Sequence, residues 1–415
     1  MPFASGSSSL ALAPARPCPE RARAAPLAFR QRRTDQGEIA HAVPVFAPGG
    51  ALGAGAVAEL GRELAGWLAA HAGSGSCDVV RNDPSVLSLH CASHMGYTGG
   101  MGVLHAFSGG GLGFFRTPGG LERMTLATLA RGGDARALGS LWQGYDASSS
   151  ASGEPASFFV VYGDALVFGP SLMTAGSLDD LAALPLATVR PLLACDDLLD
   201  VPVPPSASPD TAGPVTAASA PLAFAYVGLG DEWEIPRFVA PDAWGAPTAA
   251  RLNADLEAWV AGQRSRTHGS MGRDCDVTVS TERLVSVSCV APFDASGAPE
   301  MAMGFTYRLG PIPTRIRARE LVARRPRAPA DLAARCFRSL LVRRPDERFL
   351  PALPQLGPAD LEAFALDDAG ATFLVTLGYA YDDTDYRMPE RELCRVPWAV
   401  LGTSLDGLAT LATGT

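Results

Sequence analysis

The chain has 415 residues, of which 47% are apolar and 19% charged, and a net charge of −9. That length allows two ordinary domains, each with its own core, and the balance excludes a disordered chain and a general affinity for nucleic acid. No apolar run approaches the roughly 20 residues that a membrane-spanning helix needs. All 34 basic residues are arginine, so a lone arginine signals little beyond positive charge.

Residues 1–24, "MPFASGSSSLALAPARPCPERARA", are small, Ser-rich and Arg-rich. They lack the apolar stretch of about 7–15 residues of a secretory signal, and read as a leader or disordered segment outside the fold. From residue 25 the chain repeats itself. "APLAF" occurs at 25–29 and at 220–224, and "VPVFAP" from Val43 matches "IPRFVAP" from Ile235. "ELGRELAGWLAA" then matches "RLNADLEAWVAG", aligning Leu60 with Leu252, Leu64 with Leu256 and Trp67 with Trp259. Between the copies, residues 201–219 are rich in Pro, Ser and Ala, the composition of a semi-extended linker. The expected domains are therefore 25–200 and 220–415.

Each copy opens on an extended segment that reaches Pro44 or Pro236. A helix follows, with apolar positions at i, i+4 and i+7. Next come "CDVVRNDPSVLSLHC" (Cys77–Cys91) and "CDVTVSTERLVSVSC" (Cys275–Cys289), each with cysteines fourteen residues apart. β-rich arms around Asn, Asp and Pro predict a hairpin. In the second copy "PADLAARCFRSLL" reads as a small helix. A second hairpin closes each unit, "FFVVYGDALVF" with Gly163-Asp164 as its turn, and "FALDDAGATFLVTL". The expected class is α+β: two tandem copies of a domain with a largely antiparallel sheet and one main packed helix.

An even spacing on hairpin arms puts both cysteines of a pair on one face, where facing partners meet disulfide geometry. Zinc wants four ligands in short knuckles and a nucleophilic thiol wants a base; neither pattern is present. Disulfides at Cys77–Cys91 and Cys275–Cys289 are expected, with reduced core thiols as the alternative, and Cys336 with Cys394 is a candidate third bridge. Cys195 has only Cys18 as a partner in view.

His90, His94 and His105 offer a rival reading, a metal-dependent hydrolase with a histidine cluster in the first copy. The segment lacks the H-E-x-x-H of a zinc protease, and the repeat puts Ser288 and Pro292 opposite His90 and His94. "YTGGMG" and "FSGGGLG" lack the lysine of a phosphate-binding loop and read as flexible loops and turns. "YDDTDY" lacks the glycine and closing glutamate of a calcium loop and reads as an acidic turn. No cofactor or metal is expected.

Residues 315–348 carry eleven arginines against four acids. The modest reading is a solvated positive face; the functional one is a docking surface for an anionic polymer, a phospholipid surface or an acidic protein. Its candidate residues are Arg315, Arg317, Arg324, Arg325, Arg327, Arg335, Arg338, Arg343 and Arg344.

The order strand, proline, helix, hairpin with Ser88, then Tyr97-Thr98-Gly99-Gly100, then Leu126 and Leu129, resembles the RsiV-like domain. That family forms the extracytoplasmic part of lysozyme-sensing anti-sigma factors and precedes a peptidoglycan deacetylase. The family's Ala-His after the glycine pair is replaced here by Met101-Gly102, and the second copy has "PFDASGAPE" instead of the motif. The resemblance implies a fold and a place at the cell envelope, periplasmic or secreted. The resulting expectation is a non-catalytic binding protein for cell-wall glycan, an anionic surface or an envelope protein. Tyr97, Thr98, Gly99 and Gly100 join the arginines as its binding residues.

Overall fold

The computed structural model describes residues 25–36, 39–48, 53–70, 74–99, 102–118, 120–129, 158–163, 165–169, 182–193, 220–228, 233–264, 272–273, 275–291, 301–321, 364–375 and 392–410. The architecture is mixed α and β, with one large, mostly antiparallel sheet and few helices.

In the first half, β1 (Phe29–Gln36) and β2 (Ile39–Phe46) form a hairpin, followed by helix α1 (Ala54–Ala70). Strands β3 (Ser74–Asn82), β4 (Val86–Gly99), β5 (Gly102–Thr117) and β6 (Gly120–Arg123) then run as a meander into a short α2 (Leu126–Leu129). A separate three-stranded sheet holds β7 (Phe158–Tyr162), β8 (Ala165–Gly169) and β9 (Ala182–Pro185), and leads into α3 (Leu186–Val189).

The second half presents the hairpin β10 (Ala223–Gly228) and β11 (Trp233–Val239), then α4 (Ala246–Arg264) and the two-residue β12 (Gly272–Arg273). Strands β13 (Cys275–Ser280), β14 (Leu284–Ala291), β15 (Met301–Arg308) and β16 (Thr314–Arg315) lead to α5 (Ala318–Leu321). A second three-stranded sheet, β17 (Phe364–Leu366), β18 (Gly370–Val375) and β19 (Glu392–Pro397), precedes α6 (Trp398–Leu401) and α7 (Leu405–Thr410).

One strand of each first hairpin crosses to the other half, while β2 pairs parallel with β3 and β11 with β12 of their own halves. β1 pairs antiparallel with β13, setting Phe29 opposite Ser280, and β10 pairs antiparallel with β3, setting Phe224 opposite Asn82. The Phe29 and Phe224 rings meet 6.1 Å apart between these crossings. One core therefore draws on both halves, with Leu60 and Leu64 of α1 and Leu252, Leu256 and Val260 of α4 laid against it. The four leucines are positions that the helical spacing picked out; in α4 the third is Val260, with Trp259 only partly buried beside it. A second core, including Ile316, Phe364, Phe373 and Leu405, fills the space under the β17–β19 sheet.

The cysteine hairpins form as the spacing predicts. Cys77 faces Cys91 and Cys275 faces Cys289, each pair disulfide-bonded with a Cα separation of 4.0 Å and wholly buried. A register shift falls between Val79 and Arg81 in one hairpin and between Val277 and Val279 in the other. The turns are held alike. Asp83 Oδ1 accepts the backbone N–H groups of Ser85 and Val86, and Thr281 Oγ accepts those of Arg283 and Leu284. Both are side-chain-capped turns.

Serine at the centre of "LSL" and "VSV" has a packing role. Ser88 Oγ accepts the backbone N–H of Val161 in β7, and Ser286 Oγ that of Leu366 in β17. A buried N–H left unpaired costs free energy, so each serine ties a small sheet to the large one.

The glycine run "FSGGGLG" lies within β5 and is strand where the sequence reading expects a loop. The reason is close approach: a Cβ at Gly111 would stand 2.1 Å from Val160 Cγ2, and one at Gly113 2.2 Å from the Phe159 carbonyl oxygen. Gly304 in β15 is tighter still, 1.6 Å from the carbonyl oxygen of Phe364. Gly304→Ala should lower unfolding stability by about 3 kcal/mol. Gly262→Ala, on α4 with nothing within 4 Å, should raise it by up to about 1 kcal/mol. Urea denaturation of both variants checks the contrast.

Candidate functional site

The two regions singled out in the sequence fall in different places. Tyr97, Thr98 and Gly99 end β4, where they pair with Leu104, Val103 and Gly102 of β5. They are strand residues near the end of a long hairpin arm; Gly100 lies outside the described residues, as do the side chains of Tyr97 and Thr98.

The same ladder fixes the histidines. His90 is opposite Gly111, His94 opposite Phe107 and His105 opposite Gly96. His94 and His105 thus occupy diagonal positions, but His90 lies four residues along the strand from His94, about 13 Å away at the rise of a β-strand. Four-residue spacing brings two ligands together on a helix and separates them on a strand. His90 is buried, with its ring edge-on to Tyr162 at 6.4 Å. No group of three His, Cys, Asp or Glu side chains suited to a metal occurs among the described residues.

Of the arginines, Arg315 and Arg317 are described; Arg324, Arg325, Arg327, Arg335, Arg338, Arg343 and Arg344 lie outside the described residues. The side chains of the candidate bridge Cys336–Cys394 lie outside them as well, as do Cys18 and Cys195. Arg317 is exposed just after β16. Arg315 is half-buried in β16, which places its guanidinium 5.0 Å from the centre of the Phe305 ring. It also donates to the Gly304 carbonyl at 2.9 Å and stands 3.9 Å from Asp255.

Asp255 is the hub of this cluster. Tyr307 of β15 donates its hydroxyl to Asp255 Oδ2, and Arg251, one turn back on α4, meets Asp255 Oδ1 at 3.1 Å. The carboxylate is satisfied on both oxygens, so its charge is spent on holding Arg251 and Arg315 in place. Arg251 is exposed on α4 and Arg317 just after β16, while Arg315 lies half-buried between β16 and α4. Sequence reading named the two strand-side arginines and missed Arg251, Asp255 and Tyr307. The i, i+4 Arg–Asp spacing on a helix was the available signal, but nothing local ties that helix turn to β15.

Two further ion groups are structural. Arg81, wholly buried, pairs with Asp83. Arg116 donates to the carbonyls of Asp83 and Ala25, and burial pulls its pKa down to about 10 against the opposing pull of Asp83. In the second half, Arg308 donates to the Leu408 carbonyl and to Glu320. These groups tie chain ends to the sheet.

Compared with known proteins, the chain matches no family model and no curated protein.

Burial, reinforced by the hydrogen bond to Asp255, holds the Tyr307 hydroxyl above its ordinary pKa of 10.0, with Arg251 and Arg315 opposing. An unfolded chain would release this proton first, so folding stability falls as pH rises through about 10. Tyr307→Phe should flatten that slope, and an alkaline ultraviolet titration of the variant should lose one phenol that titrates above 10.

Proposed function

We propose that the chain is a non-catalytic extracytoplasmic binding protein, built from two RsiV-like copies, that recognises a cell-envelope component or a protein partner. The observation that carries this reading is how the two halves divide their residues. Corresponding positions do the same packing work: Ser88 and Ser286, and Asp83 and Thr281. The polar candidates do not correspond. His90 in one hairpin is answered by Ser288 in the other, and the Arg251–Asp255–Arg315 cluster belongs to the second half. A framework kept twice beside surface chemistry kept once suits recognition better than shared catalysis.

The two buried disulfides are consistent with an oxidising compartment. Among the described residues, no helix is long and apolar enough to cross a membrane. The arginine-rich surface supplies the binding face. A positive patch on a chain of net charge −9 gives a directional field, which steers an anionic partner to one side of the molecule.

Intact mass separates this reading from that of a reduced cytosolic scaffold. Protein purified without reductant should gain about two mass units per disulfide on reduction, at least about four in all; no gain would remove the extracytoplasmic assignment. Reversing charge at Arg324, Arg325 and Arg327 should weaken retention on envelope preparations, most strongly at low salt. Unchanged retention across salt concentrations would remove the arginine surface from the binding role.

A further inference from the structure

His90 is a buried titratable side chain that the proposed binding role leaves unused, 9% accessible to solvent. Its partner across the hairpin is Asp78, and the two face each other next to the Cys77–Cys91 disulfide. Facing positions on antiparallel strands share one side of the sheet, with Cβ atoms about 4.5–5.5 Å apart. Gln31 of β1 donates its amide to Asp78 Oδ1 at 3.1 Å and to the Cys77 carbonyl at 3.1 Å. That donor is neutral, so it orients the carboxylate without cancelling its charge. The hairpin does not need the histidine in order to form. In the second half Asp276 faces Ser288, and the disulfide beside them closes the same way.

The ring links the two halves. It lies edge-on to Tyr162 of β7, 6.4 Å between centroids, and Tyr162 stacks on Tyr226 of β10 at 5.8 Å. Tyr226 is wholly buried and donates its hydroxyl to the Cys275 carbonyl at 2.8 Å. β10 is the strand that crosses from the second half to pair with β3, which also carries Asp78. Among the described residues, the titratable groups around the ring are thus Asp78 from β3, Tyr162 from β7 and, behind it, Tyr226 from β10. β5 sets Gly111 opposite, and β1 contributes the neutral Gln31.

We propose that His90 is an acid-sensing joint between the halves. Protonated, it is held by Asp78 and seats Tyr162 against Tyr226; neutral, it loosens that stack and the crossing of β10. Burial alone would favour the neutral ring, but a carboxylate directly opposite favours the imidazolium and outweighs it at this separation. An imidazolium also meets an aromatic ring more favourably than a neutral imidazole does. Carboxylates ordinarily titrate near about 4 and phenols near about 10, so histidine is the group here that changes charge between about pH 5 and 8. The folded chain then takes up this proton more readily than the unfolded one. The added stability is full below about pH 6.5 and is lost as pH rises through the folded midpoint.

The joint acts within the core and is independent of the proposed binding role. The test uses the full, oxidised chain and follows the histidine ring signals by NMR, with His90 assigned by its loss in His90→Gln. Its midpoint should lie above about 6.5, and Asp78→Asn should lower it. Amide exchange across β10, corrected for the intrinsic rate, should be several-fold slower at pH 5.5 than at pH 8 in the parent, by roughly tenfold for each unit of midpoint shift. In His90→Ser, which places at 90 the residue type of the corresponding position 288, that difference should vanish. The ring titration needs no variant of His90 itself, so it decides the matter even where a substitution impairs folding. A midpoint at or below about 6.5, one unmoved by Asp78→Asn, or β10 exchange with the same pH dependence in parent and His90→Ser overturns the joint.

Discussion

Phe29 and Phe224 meet where the two crossing hairpins pass, and the sheet on either side continues because each hairpin pairs with strands of the opposite half. The two crossings contribute only two residue pairs each, so their hydrogen bonds, at about 1 kcal/mol net apiece, are a minor part of the attachment. Burial does more. Phe29, Phe46, Phe224 and Phe238 are each nearly inaccessible and pack with tilted rings in one cluster, and each contributes about 1.5–3 kcal/mol by leaving water. Without these rings both halves would expose strand edges, a template for aggregation.

The disulfides act inside that frame. Each closes a loop of fifteen residues within one half, a constraint worth about 3 kcal/mol against the unfolded chain. They define the hairpins that receive the exchanged strands: β13 carries Cys275 and meets β1, and β3 carries Cys77 and meets β10. Side chains of β1 and β10 reach instead the cysteine hairpins of their own halves. Gln31 donates to the Cys77 carbonyl and Tyr226 to the Cys275 carbonyl. Each first hairpin is thus tied to its own half through a side chain and to the opposite half through its backbone.

Much of this was legible in the sequence, because local rules govern it. Fourteen-residue cysteine spacing specifies facing positions on a hairpin whatever surrounds it, and the Leu60–Leu64 and Leu252–Leu256 spacing specifies which helix face is buried. The glycines of β5 and the serine of "LSL" were harder to read. Their reason lies in β7 crossing β5 and β4, a contact between segments far apart in the chain. Exchange of the first hairpins left no trace at all, since a strand's alternation is the same whichever half it joins. The Tyr307–Asp255 bond escaped for a similar reason: a helix turn and a strand look independent until packing sets them side by side.

Reciprocal pairing also imposes an order on synthesis. Residue 29 reaches its antiparallel partner only after residue 280 has been made, so the first hairpin waits through the whole first half and the Pro-rich residues 201–219 with one edge unsatisfied. The pairing of β1 is therefore completed late, by a strand of the second half. Truncation anywhere before β13 leaves that first hairpin without its far-side strand, however well its own cysteine pair has closed.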